Sequence, residues 1–333
     1  MMNVETLIQK LSIKQNLTIE ETKFLFRKIM NGELEDDKIS KILLGLADKG
    51  ETADEITGGA SVLREKSLQV NINMDAIDMC GTGGDGKHTL NISTASSLVM
   101  ASLGIKVAKH GNKGLTSKCG SADVLEKLGI DINKKPEEVS KDIKNKNFGF
   151  MFAPIYHQAM KNVANVRKRL NRRTIFNLLG PLCNPAQTKF QCIGIFSKDF
   201  LDRYAESLIK LGTNKAWVYH SHDGLDEISI FDKTDVIEIN EKSTRKFTIE
   251  PNKFISHNYK FQDIIGGDAE MNAQKIKNLF NGENNAFLEI VALNCAAGMM
   301  VVNKENEIKK AYINVKNHIL SKKVRDYLPS LIK

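Results

Sequence analysis

A glycine-rich segment is the first part of the chain whose residue types and spacing could do chemistry. It reads CGTGGDGKHT over residues 80–89, between a predicted strand and a predicted helix. At such a junction, backbone N–H groups and the positive end of a helix can bind phosphate. The sequence therefore predicts a site for a phosphorylated ligand, and two widespread motifs fit part of it.

The first of these motifs is the dinucleotide fingerprint G-x-G-x-x-G, which Gly81, Gly83 and Gly86 satisfy. That interpretation also needs an acidic residue about 20 positions further on, where it holds the ribose hydroxyls. The predicted strand in that region ends in Lys109 and His110, so a cation stands where the acid should be. A nicotinamide cofactor is therefore not expected.

The second motif is the Walker A loop, whose spacing is matched by Gly81, Gly86 and Lys87. His88 follows, where Ser or Thr should bind Mg²⁺. Asp85 inside the loop is also unfavourable beside phosphate unless it faces hydroxyl groups or a cation. We give this interpretation little weight.

A pair of adjacent carboxylates, Asp226 and Glu227, is the strongest metal candidate. Mg²⁺ typically takes one or two carboxylates together with substrate phosphates. An isolated Asp-Glu pair is usually solvated surface, so this assignment depends on the resemblance described below.

The elements that must position these residues begin with helices over about the first 68 residues. Thr18-x-x-Glu21 and Thr52-x-x-Glu55 are capping boxes that precede apolar residues at helical spacing. A small helical domain is the expected result.

From about Met74, short apolar runs alternate with helical stretches, which indicates a largely parallel sheet in an α/β domain. Strands are predicted at residues 75–80, 105–109, 191–196, 215–220 and 236–239, and helices at 93–103 and 121–128. Residues 156–179 are again rich in helical pattern and are predicted to pack back on the N-terminal helices.

Composition narrows the class of protein. The chain has 333 residues, 41% of them hydrophobic, and a formal net charge of +8. That length favours two domains, and five widely spaced cysteines without C-x-x-C argue against a disulfide framework and a zinc site. No apolar stretch approaches the roughly 20 residues of a membrane span, and no signal peptide is recognisable. We expect a soluble cytoplasmic protein without a membrane partner.

The basic excess is concentrated rather than spread evenly. Residues 143–198 contain ten Lys and Arg and no Asp or Glu, and a second surplus lies after Val301. Such an excess could serve nucleic acid, a membrane surface or small anionic substrates. The C-terminal surplus is interpreted as solvated helix surface.

Several further segments, taken with the glycine-rich loop, resemble the anthranilate phosphoribosyltransferase family. The resemblance covers nearly the whole chain, from KGE at 49–51, and is carried by NIST at 91–94, KHGN at 109–112, SKCGSAD at 117–123, RKRLNRRTIFNLLGPLCNP at 167–185, GLDEIS at 224–229, GGDAE at 266–270 and NCAA at 294–297. Ordered motifs along one chain are far more specific than a lone glycine loop.

The resemblance implies transfer of phosphoribose from phosphoribosyl pyrophosphate to the amine of anthranilate, in tryptophan biosynthesis. The leaving pyrophosphate carries several negative charges, so catalysis needs charge neutralisation more than a strong base. The residues implied to bind phosphoribosyl pyrophosphate are Gly81, Gly83, Gly84, Asp85, Thr89, Asn91, Ile92, Ser93, Thr94, Lys109, Ser117 and Ser121. Ser93, Asp226 and Glu227 are the implied Mg²⁺ ligands.

Anthranilate is a flat aromatic carboxylate, which calls for a cation or amide donors and an apolar wall. The residues that the resemblance implies for this site are Gly81, His110, Asn112, Arg167, Gly180 and Pro181. The neighbouring arginines at 169, 172 and 173 are interpreted as helix-surface charges outside the site. The aromatic amine is neutral at pH 7, and no general base is assigned.

The chain departs from the family pattern at a few positions. Lys113 and Gly114 stand where the family has Arg followed by a small residue, Cys119 replaces Ser, Leu90 replaces Phe and Asn171 replaces Gly. Lys113 keeps the charge but loses the bidentate fork of Arg. These differences bear on affinity rather than on the reaction.

Two alternatives remain open from the sequence. One is a pyrimidine nucleoside phosphorylase-like enzyme, and the other is a non-catalytic nucleic-acid-binding relative of the same fold.

The expected fold class is α/β, with two domains. The first is a small, discontinuous, all-helical N-terminal domain, residues 1–70 joined by about 163–183. The second is a large α/β domain, residues 71–162 and 184–333, with a central, mostly parallel sheet flanked by helices. The resemblance also implies a homodimer formed through the helical domain.

Overall fold

The N-terminal part of the chain is helical in a computed structural model, which describes residues 2–114 and 118–332. Its helices are α1 (Val4–Ser12), α2 (Ile19–Met30), α3 (Asp36–Lys49) and α4 (Ala53–Lys66). Both predicted capping boxes are present, because Thr18 and Thr52 each accept a bond from the N–H of the Glu three residues later, whose carboxylate bonds back. The sequence therefore predicts correctly where α2 and α4 begin.

The remaining helices flank a sheet or return to the N-terminal bundle. They are α5 (Ile92–Ser102), α6 (Ser121–Lys127), α7 (Pro136–Lys146), α8 (Ala153–Tyr156), α9 (Lys161–Leu170), α10 (Phe176–Leu179), α11 (Leu201–Lys210), α12 (Ala269–Phe280), α13 (Ala286–Val301), α14 (Ile308–Leu320) and α15 (Lys323–Tyr327). None of the described helices is both long and apolar enough to cross a bilayer.

A seven-stranded sheet forms the centre of the α/β part, in the order β3-β2-β1-β4-β5-β6-β7. The first five strands are parallel and the last two antiparallel. The strands are β1 (Ile77–Gly81), β2 (Val107–Gly111), β3 (Phe148–Phe152), β4 (Phe190–Gly194), β5 (Lys215–Ser221), β6 (Thr234–Asn240) and β7 (Ser243–Ile249). The predicted α/β class with a mostly parallel sheet is confirmed.

Two of these strands, β3 and β7, are absent from the sequence-based prediction. Strand β7 is an edge strand whose residues from Ser243 to Thr248 are mainly exposed, so it lacks the apolar alternation that marks a half-buried strand. Its place depends on backbone pairing with β6. Strand β3 is buried from Phe148 to Met151, but it is only five residues long and closely follows α7.

Alternating strand residues divide the core between the two faces of the sheet. Met79, Cys192 and Trp217 belong to the cluster that includes α5 and α13. Their neighbours Cys80 and Ile193 belong to the cluster that includes α2, α3, α4 and α11. Successive strand side chains point to opposite faces, so the sheet is covered on both sides, one of them by the helical part.

The segment after β3 packs back on the N-terminal helices, as the sequence suggested. Helix α9 contacts α2 and α3, and α10 contacts α4. The side chain of Asn162 donates to the carbonyl oxygen of Met30 at 2.8 Å. This packing supports a discontinuous helical domain.

The basic surplus of the C-terminal segment lies mainly on the surface, as predicted. On α14 and α15, Lys309, Lys310, Lys323 and Arg325 are exposed. Solvated side chains of this kind need no ligand to explain them.

A buried ion pair joins α3 to α4 and gives a test of the helical part. Lys49 Nζ lies 2.6 Å from Glu55 Oε2, with side chains 2% and 0% exposed, and Glu55 also accepts the N–H of Leu17 at 2.8 Å. Glu55→Ala leaves the Lys49 charge buried without its partner and is expected to lower the free energy of unfolding by about 3–5 kcal/mol. Urea unfolding followed by far-ultraviolet circular dichroism measures it.

The matched control is Asp54→Ala, one residue earlier on α4. Asp54 pairs with Lys210 on the surface, with side chains 43% and 33% exposed, and such a pair contributes about 1 kcal/mol or less. Equal losses in the two variants would contradict the importance assigned to the buried pair.

Candidate active site

The carboxyl ends of the parallel strands bring the predicted site residues to one edge of the sheet. Strand β1 ends at Gly81, β2 at Gly111 and β5 at Ser221, and ligands of open α/β sheets bind at this edge. The loop after β1 carries the glycine-rich segment, the loop after β2 carries Asn112, and the loop after β5 carries Asp226. These three loops form the candidate site.

The loop after β5 contacts the glycine-rich loop directly. The N–H of Gly83 donates to Asp226 Oδ2 at 2.7 Å, and a Cβ at Gly81 would lie 2.3 Å from the same oxygen. On the neighbouring strand β4, a Cβ at Gly194 would lie 1.6 Å from the carbonyl oxygen of Asp226. Glycine is therefore required at 81 and 194 for Asp226 to reach this place.

The second carboxylate turns towards the start of α5. Glu227 is 8% exposed, and its Oε1 accepts the N–H of Ser93 at 3.1 Å. Ser93 and Glu227, which the sequence analysis assigned to one metal site, are thus brought together although 134 residues separate them.

The carboxylates in this site carry unusual proton affinities. Burial, followed by the nearby charge of Asp85, raises the pKa of Asp226 to about 7. Burial, followed by the charge of Asp226, raises the pKa of Glu227 well above its usual value, against the attraction of Lys109. A divalent cation would relieve both effects, because it would compensate the negative charge that burial disfavours.

The donor set fits Mg²⁺ better than a transition metal. It consists of carboxylate oxygens and a serine hydroxyl, the ligands that Mg²⁺ prefers. The described residues contain no cluster of three or more His, Cys, Asp or Glu side chains arranged for a metal. Mg²⁺ is commonly held by one or two carboxylates and completed by substrate phosphates and water, so Asp226 and Glu227 suffice in number.

Lys109 lies beneath the loops rather than in solvent. Its side chain is 1% exposed, and Nζ donates to the carbonyl oxygen of Met79 at 2.6 Å. The sequence predicted Lys109 at a strand end, which is wrong: Lys109 is the middle residue of β2. The structure directs its charge towards buried carboxylates, Glu227 among them.

The glycine-rich loop turns sharply and is held by an arginine that the sequence analysis left outside the site. Gly83, Gly84 and Gly86 have φ of +67°, +75° and +73°, a region that favours glycine. A guanidinium N–H of Arg173 donates to the carbonyl oxygen of Gly84, and the same group lies 4.3 Å from the ring centroid of Phe196. Arg173 is exposed, as the sequence predicted, but it lies after the end of α9 and contacts the glycine-rich loop, so it is not a helix-surface charge.

The two neighbouring arginines do have the surface role that the sequence predicted. Arg172 lies 2.9 Å from Asp48, and Arg169 lies 3.6 Å from Asp36. A cluster of arginines in sequence gives no signal of which one will contact the glycine-rich loop, and Arg173 does so from an exposed position.

The loop after β2 is closed by Asp123, whose Oδ2 accepts the N–H groups of Gly114 and Gly120 at 2.8 Å each. Ser121 Oγ donates to the carbonyl oxygen of Asn112 at 3.3 Å. Ser117, which the sequence analysis placed in the phosphate site, lies outside the described residues.

Helix α5 begins close to Glu227 and supplies most of the other predicted phosphate contacts. The cap position is Asn91, so Ser93 and Thr94 are the second and third helical residues. Ile92 is 1% exposed, so its side chain belongs to the core. Only its backbone could make the predicted phosphate contact. Thr89 forms a bridge with Ile265.

Arg167 offers a cation that has no acidic partner among the described residues. It lies on α9, half-buried, with its guanidinium 5.2 Å from the ring centroid of Phe176. No ion pair within the described part of the chain involves it, in contrast to Arg169 and Arg172. Burial lowers the pKa of Arg167, so a carboxylate ligand would offset a cost already present.

A pair of histidines borders this side of the site. The rings of His110 and His157 have centroids 4.9 Å apart, and neither Nε2 atom has a hydrogen-bond partner among the described residues. Burial holds the pKa of His110 well below its usual value and lowers that of His157 to about 4. Both rings are therefore neutral at pH 7.

His157 was not predicted, because a single histidine in a helix-rich stretch carries no functional signal. The backbone of Gly180 bonds to His110, which brings the predicted Gly180-Pro181 segment to the same side. Pro181 is buried in a short 3₁₀ turn over Gly180–Cys183.

Comparison with known proteins gives one consistent result. A glycosyl transferase family model for a helical bundle domain matches residues 5–67, and a model for the a/b domain of that family matches residues 73–323. An anthranilate phosphoribosyltransferase from Pelagibacter ubique (strain HTCC1062) is 48% identical, over 97% of this chain and 98% of the relative. One from Thermoanaerobacter sp. (strain X514) is 44% identical, over 94% and 93%.

Solved structures agree with these relatives. The anthranilate phosphoribosyltransferase from Thermus thermophilus has a TM-score of 0.91 and 34% identity, and the match covers 97% of each chain. The enzyme from Saccharomyces cerevisiae in complex with phosphoribosyl pyrophosphate and Mg has a TM-score of 0.90 and 26% identity, over 99% of this chain and 96% of the other.

The raised pKa of Asp226 predicts how stability depends on pH. The folded state holds a proton on Asp226 up to about pH 7, whereas the unfolded chain releases it near pH 4. The folded state therefore binds more protons between these values, and this group lowers the free energy of unfolding as pH rises from about 4 to 7. Asp226→Asn lacks the ionising group, so its melting temperature should fall less than that of the wild type between pH 5 and pH 8.

Mg²⁺ provides the second half of the same measurement. At pH 8, where Asp226 is ionised, Mg²⁺ should raise the melting temperature of the wild type and leave Asp226→Asn nearly unchanged. Differential scanning fluorimetry measures both effects. Equal pH slopes would contradict the pKa assignment, and an equal response to Mg²⁺ would contradict the metal assignment.

Proposed function

The chain belongs to the anthranilate phosphoribosyltransferase family, and we therefore propose that it transfers the phosphoribosyl group of phosphoribosyl pyrophosphate to the amine of anthranilate. The products are N-(5-phosphoribosyl)anthranilate and pyrophosphate, and the reaction serves tryptophan biosynthesis. The observation that carries the proposal is the contact of the glycine-rich loop with Asp226, made by the N–H of Gly83.

The first substrate carries several phosphate charges, and the glycine-rich loop and the start of α5 are suited to them. Left-handed glycines let the backbone approach a ligand closely, and helix N-termini favour anions. We assign phosphoribosyl pyrophosphate to Gly81, Gly83, Gly84, Asp85, Thr89, Asn91, Ile92, Ser93, Thr94, Lys109 and Ser121, together with Ser117 from the sequence alone.

Departure of pyrophosphate leaves positive character on the ribose, so the site must stabilise the charge of the leaving group. Mg²⁺, when held by Ser93, Asp226 and Glu227, supplies that neutralisation. The yeast enzyme, solved in complex with phosphoribosyl pyrophosphate and Mg, supports this assignment. Lys109 favours the ionised form of the buried Glu227 from below.

The second substrate is an aromatic amine with a carboxylate. We propose that Arg167 binds this carboxylate, and that Gly81, His110, Asn112, Gly180 and Pro181 line the ring. A variant of the yeast enzyme that is 26% identical to this chain is solved in complex with 4-fluoroanthranilate, which supports such a site. The neutral rings of His110 and His157 suit an apolar aromatic ligand better than protonated rings would. The amine is neutral at pH 7, and no general base is assigned.

Two further features are proposed with the activity. We propose a cytoplasmic homodimer that associates through the helical domain. We also propose two domains: a helical domain of residues 1–70 and about 163–183, and an α/β domain of residues 71–162 and 184–333. Light scattering on the purified chain would measure the oligomeric state. We propose small anionic molecules as the substrates, bound by Arg167 and by the Mg²⁺ site at Asp226 and Glu227. No nucleic-acid partner is proposed.

The activity can be tested through the fluorescence of anthranilate. The wild type should consume anthranilate and phosphoribosyl pyrophosphate only with Mg²⁺, and the double variant Asp226→Asn with Glu227→Gln should lose on the order of 100-fold or more in kcat/KM. The control is Asp232→Asn, an exposed carboxylate that accepts the N–H of Lys233. Full activity in excess chelator, or phosphorolysis of thymidine or uridine instead, would overturn the proposal.

The carboxylate site is tested by Arg167→Ala, which should raise KM for anthranilate about 10- to 100-fold, because a hydrogen bond to a charged group is lost. KM for phosphoribosyl pyrophosphate should change little, and Arg167→Lys should recover only part of the loss, since it lacks the bidentate fork. Steady-state kinetics with each substrate varied separately measure this.

Arg172→Ala is the matched control, because it removes a surface arginine that pairs with Asp48. Its KM for anthranilate should equal that of the wild type. An increase confined to phosphoribosyl pyrophosphate in Arg167→Ala would place the arginine in the other subsite.

A further inference from the structure

The cap residue of α5 does not cap its own helix. Asparagine is a favoured cap residue because its side-chain oxygen accepts an N–H of the first helical turn. Asn91 occupies this position with φ −73° and ψ 71°, and its side chain makes no capping bond within the part of the chain that the structure describes. The N–H of Ser93 instead donates to Glu227.

The side chain of Asn91 is held by other parts of the chain. Its Oδ1 accepts a bond from Nδ2 of Asn272 at 2.8 Å, and its Nδ2 donates to the carbonyl oxygen of Cys119 at 3.3 Å. Both halves of the amide are therefore engaged away from α5.

Asn272 is itself held in the orientation that this bond needs. It lies on α12 and is 1% exposed, and its Oδ1 accepts the N–H of Gly267 at 2.8 Å. That acceptor bond fixes the orientation of the amide, so Nδ2 points at Asn91. Gly267 belongs to the GGDAE motif, so this bond connects that motif to the candidate site through Asn272 and Asn91.

The same segment also runs along the end of the glycine-rich loop. The N–H of Gly266 donates to the carbonyl oxygen of His88 at 2.8 Å, and a Cβ at Gly266 would lie 2.6 Å from the carbonyl oxygen of Thr89. These backbone contacts join the segment just before Asn272 to the segment just before Asn91, and so fix the two asparagines relative to each other.

We propose that Asn272 is a positioning residue for phosphate binding: it holds the Asn91 side chain off its own helix, so that the first turn of α5 stays open to a phosphate oxygen. Without this bond, the Asn91 side chain turns back and caps α5 through the N–H of Thr94, since the N–H of Ser93 donates to Glu227, and it competes with the ligand for that donor. The inference rests on the proposed function for the identity of the substrate, but the competition concerns any pyrophosphate group at this helix.

The test measures binding of inorganic pyrophosphate with Mg²⁺ by isothermal titration calorimetry. Asn272→Leu removes both bonds at similar volume, and Asn272→Asp keeps the acceptor for Gly267 but places an oxygen against Asn91 Oδ1. Each should weaken pyrophosphate binding about 10-fold, of the order expected when a favourable cap forms in competition. KM for phosphoribosyl pyrophosphate should rise in parallel, while KM for anthranilate stays within about twofold.

A double-mutant cycle separates positioning from general destabilisation. Alanine at position 91 cannot cap the helix, so Asn272→Asp should have no further effect on pyrophosphate binding in the Asn91→Ala background. Asn285→Ala removes the cap bond to the N–H of Leu288 at 3.1 Å on α13. It lowers the melting temperature without touching Asn91 and should leave pyrophosphate binding unchanged.

Three results would overturn the inference: unchanged pyrophosphate binding in both Asn272 variants, an equal rise in KM for the two substrates, or a loss that persists in the Asn91→Ala background. Absence of transferase activity in the wild type would instead remove the proposed function. The calorimetric cycle would still decide the role of Asn272, and failure of the wild type to bind pyrophosphate would overturn that role as well.

Discussion

The close approach of Asp226 to the ends of β1 and β4 is the constraint on which the site depends. Its carbonyl oxygen and carboxylate occupy the space that side chains at Gly194 and Gly81 would need. The N–H of Gly83 then bonds to the carboxylate and draws the glycine-rich loop over it. With Asp226 in this place, Glu227 accepts the N–H of Ser93 at the start of α5, so the loop after β5 is joined to both the glycine-rich loop and α5.

Burial of two adjacent carboxylates would be unfavourable without compensation, and the distribution of charge in the chain supplies it. Lys109 lies beneath Glu227 and opposes the rise of its pKa. The acid-free stretch of residues 143–198 contributes Arg173, which contacts the glycine-rich loop, and Arg167, which has no ion pair among the described residues, whereas its other arginines pair with the surface of α3. Part of the net charge of +8 therefore comes from this stretch and part from a solvated C-terminal surface.

Helices late in the chain hold the loops that bear the site. Asn294 on α13 is 1% exposed, and its side chain bonds to both the N–H and the carbonyl oxygen of Ile228, at 3.0 and 2.9 Å. Ile228 directly follows Glu227, so Asn294 fixes the loop that carries the carboxylates. Asn272 does the corresponding work for Asn91. The two motifs near these residues, GGDAE and NCAA, therefore act through support of the loops.

Local signals in the sequence determined the capped helices, most strands and the glycine-rich loop, because caps, periodicity and turn glycines depend on residues close together in the chain. The family motifs also determined which carboxylates and which arginine to consider. Only the tertiary structure decided that Arg173 contacts the loop, that His157 lies on His110, that Lys109 is buried and that Asn91 is bound by Asn272. Each of these contacts joins residues that are 30 or more positions apart or depends on the direction of a side chain at a turn. The packing of the sheet against the helices on its two faces sets such distances, and local residue order does not.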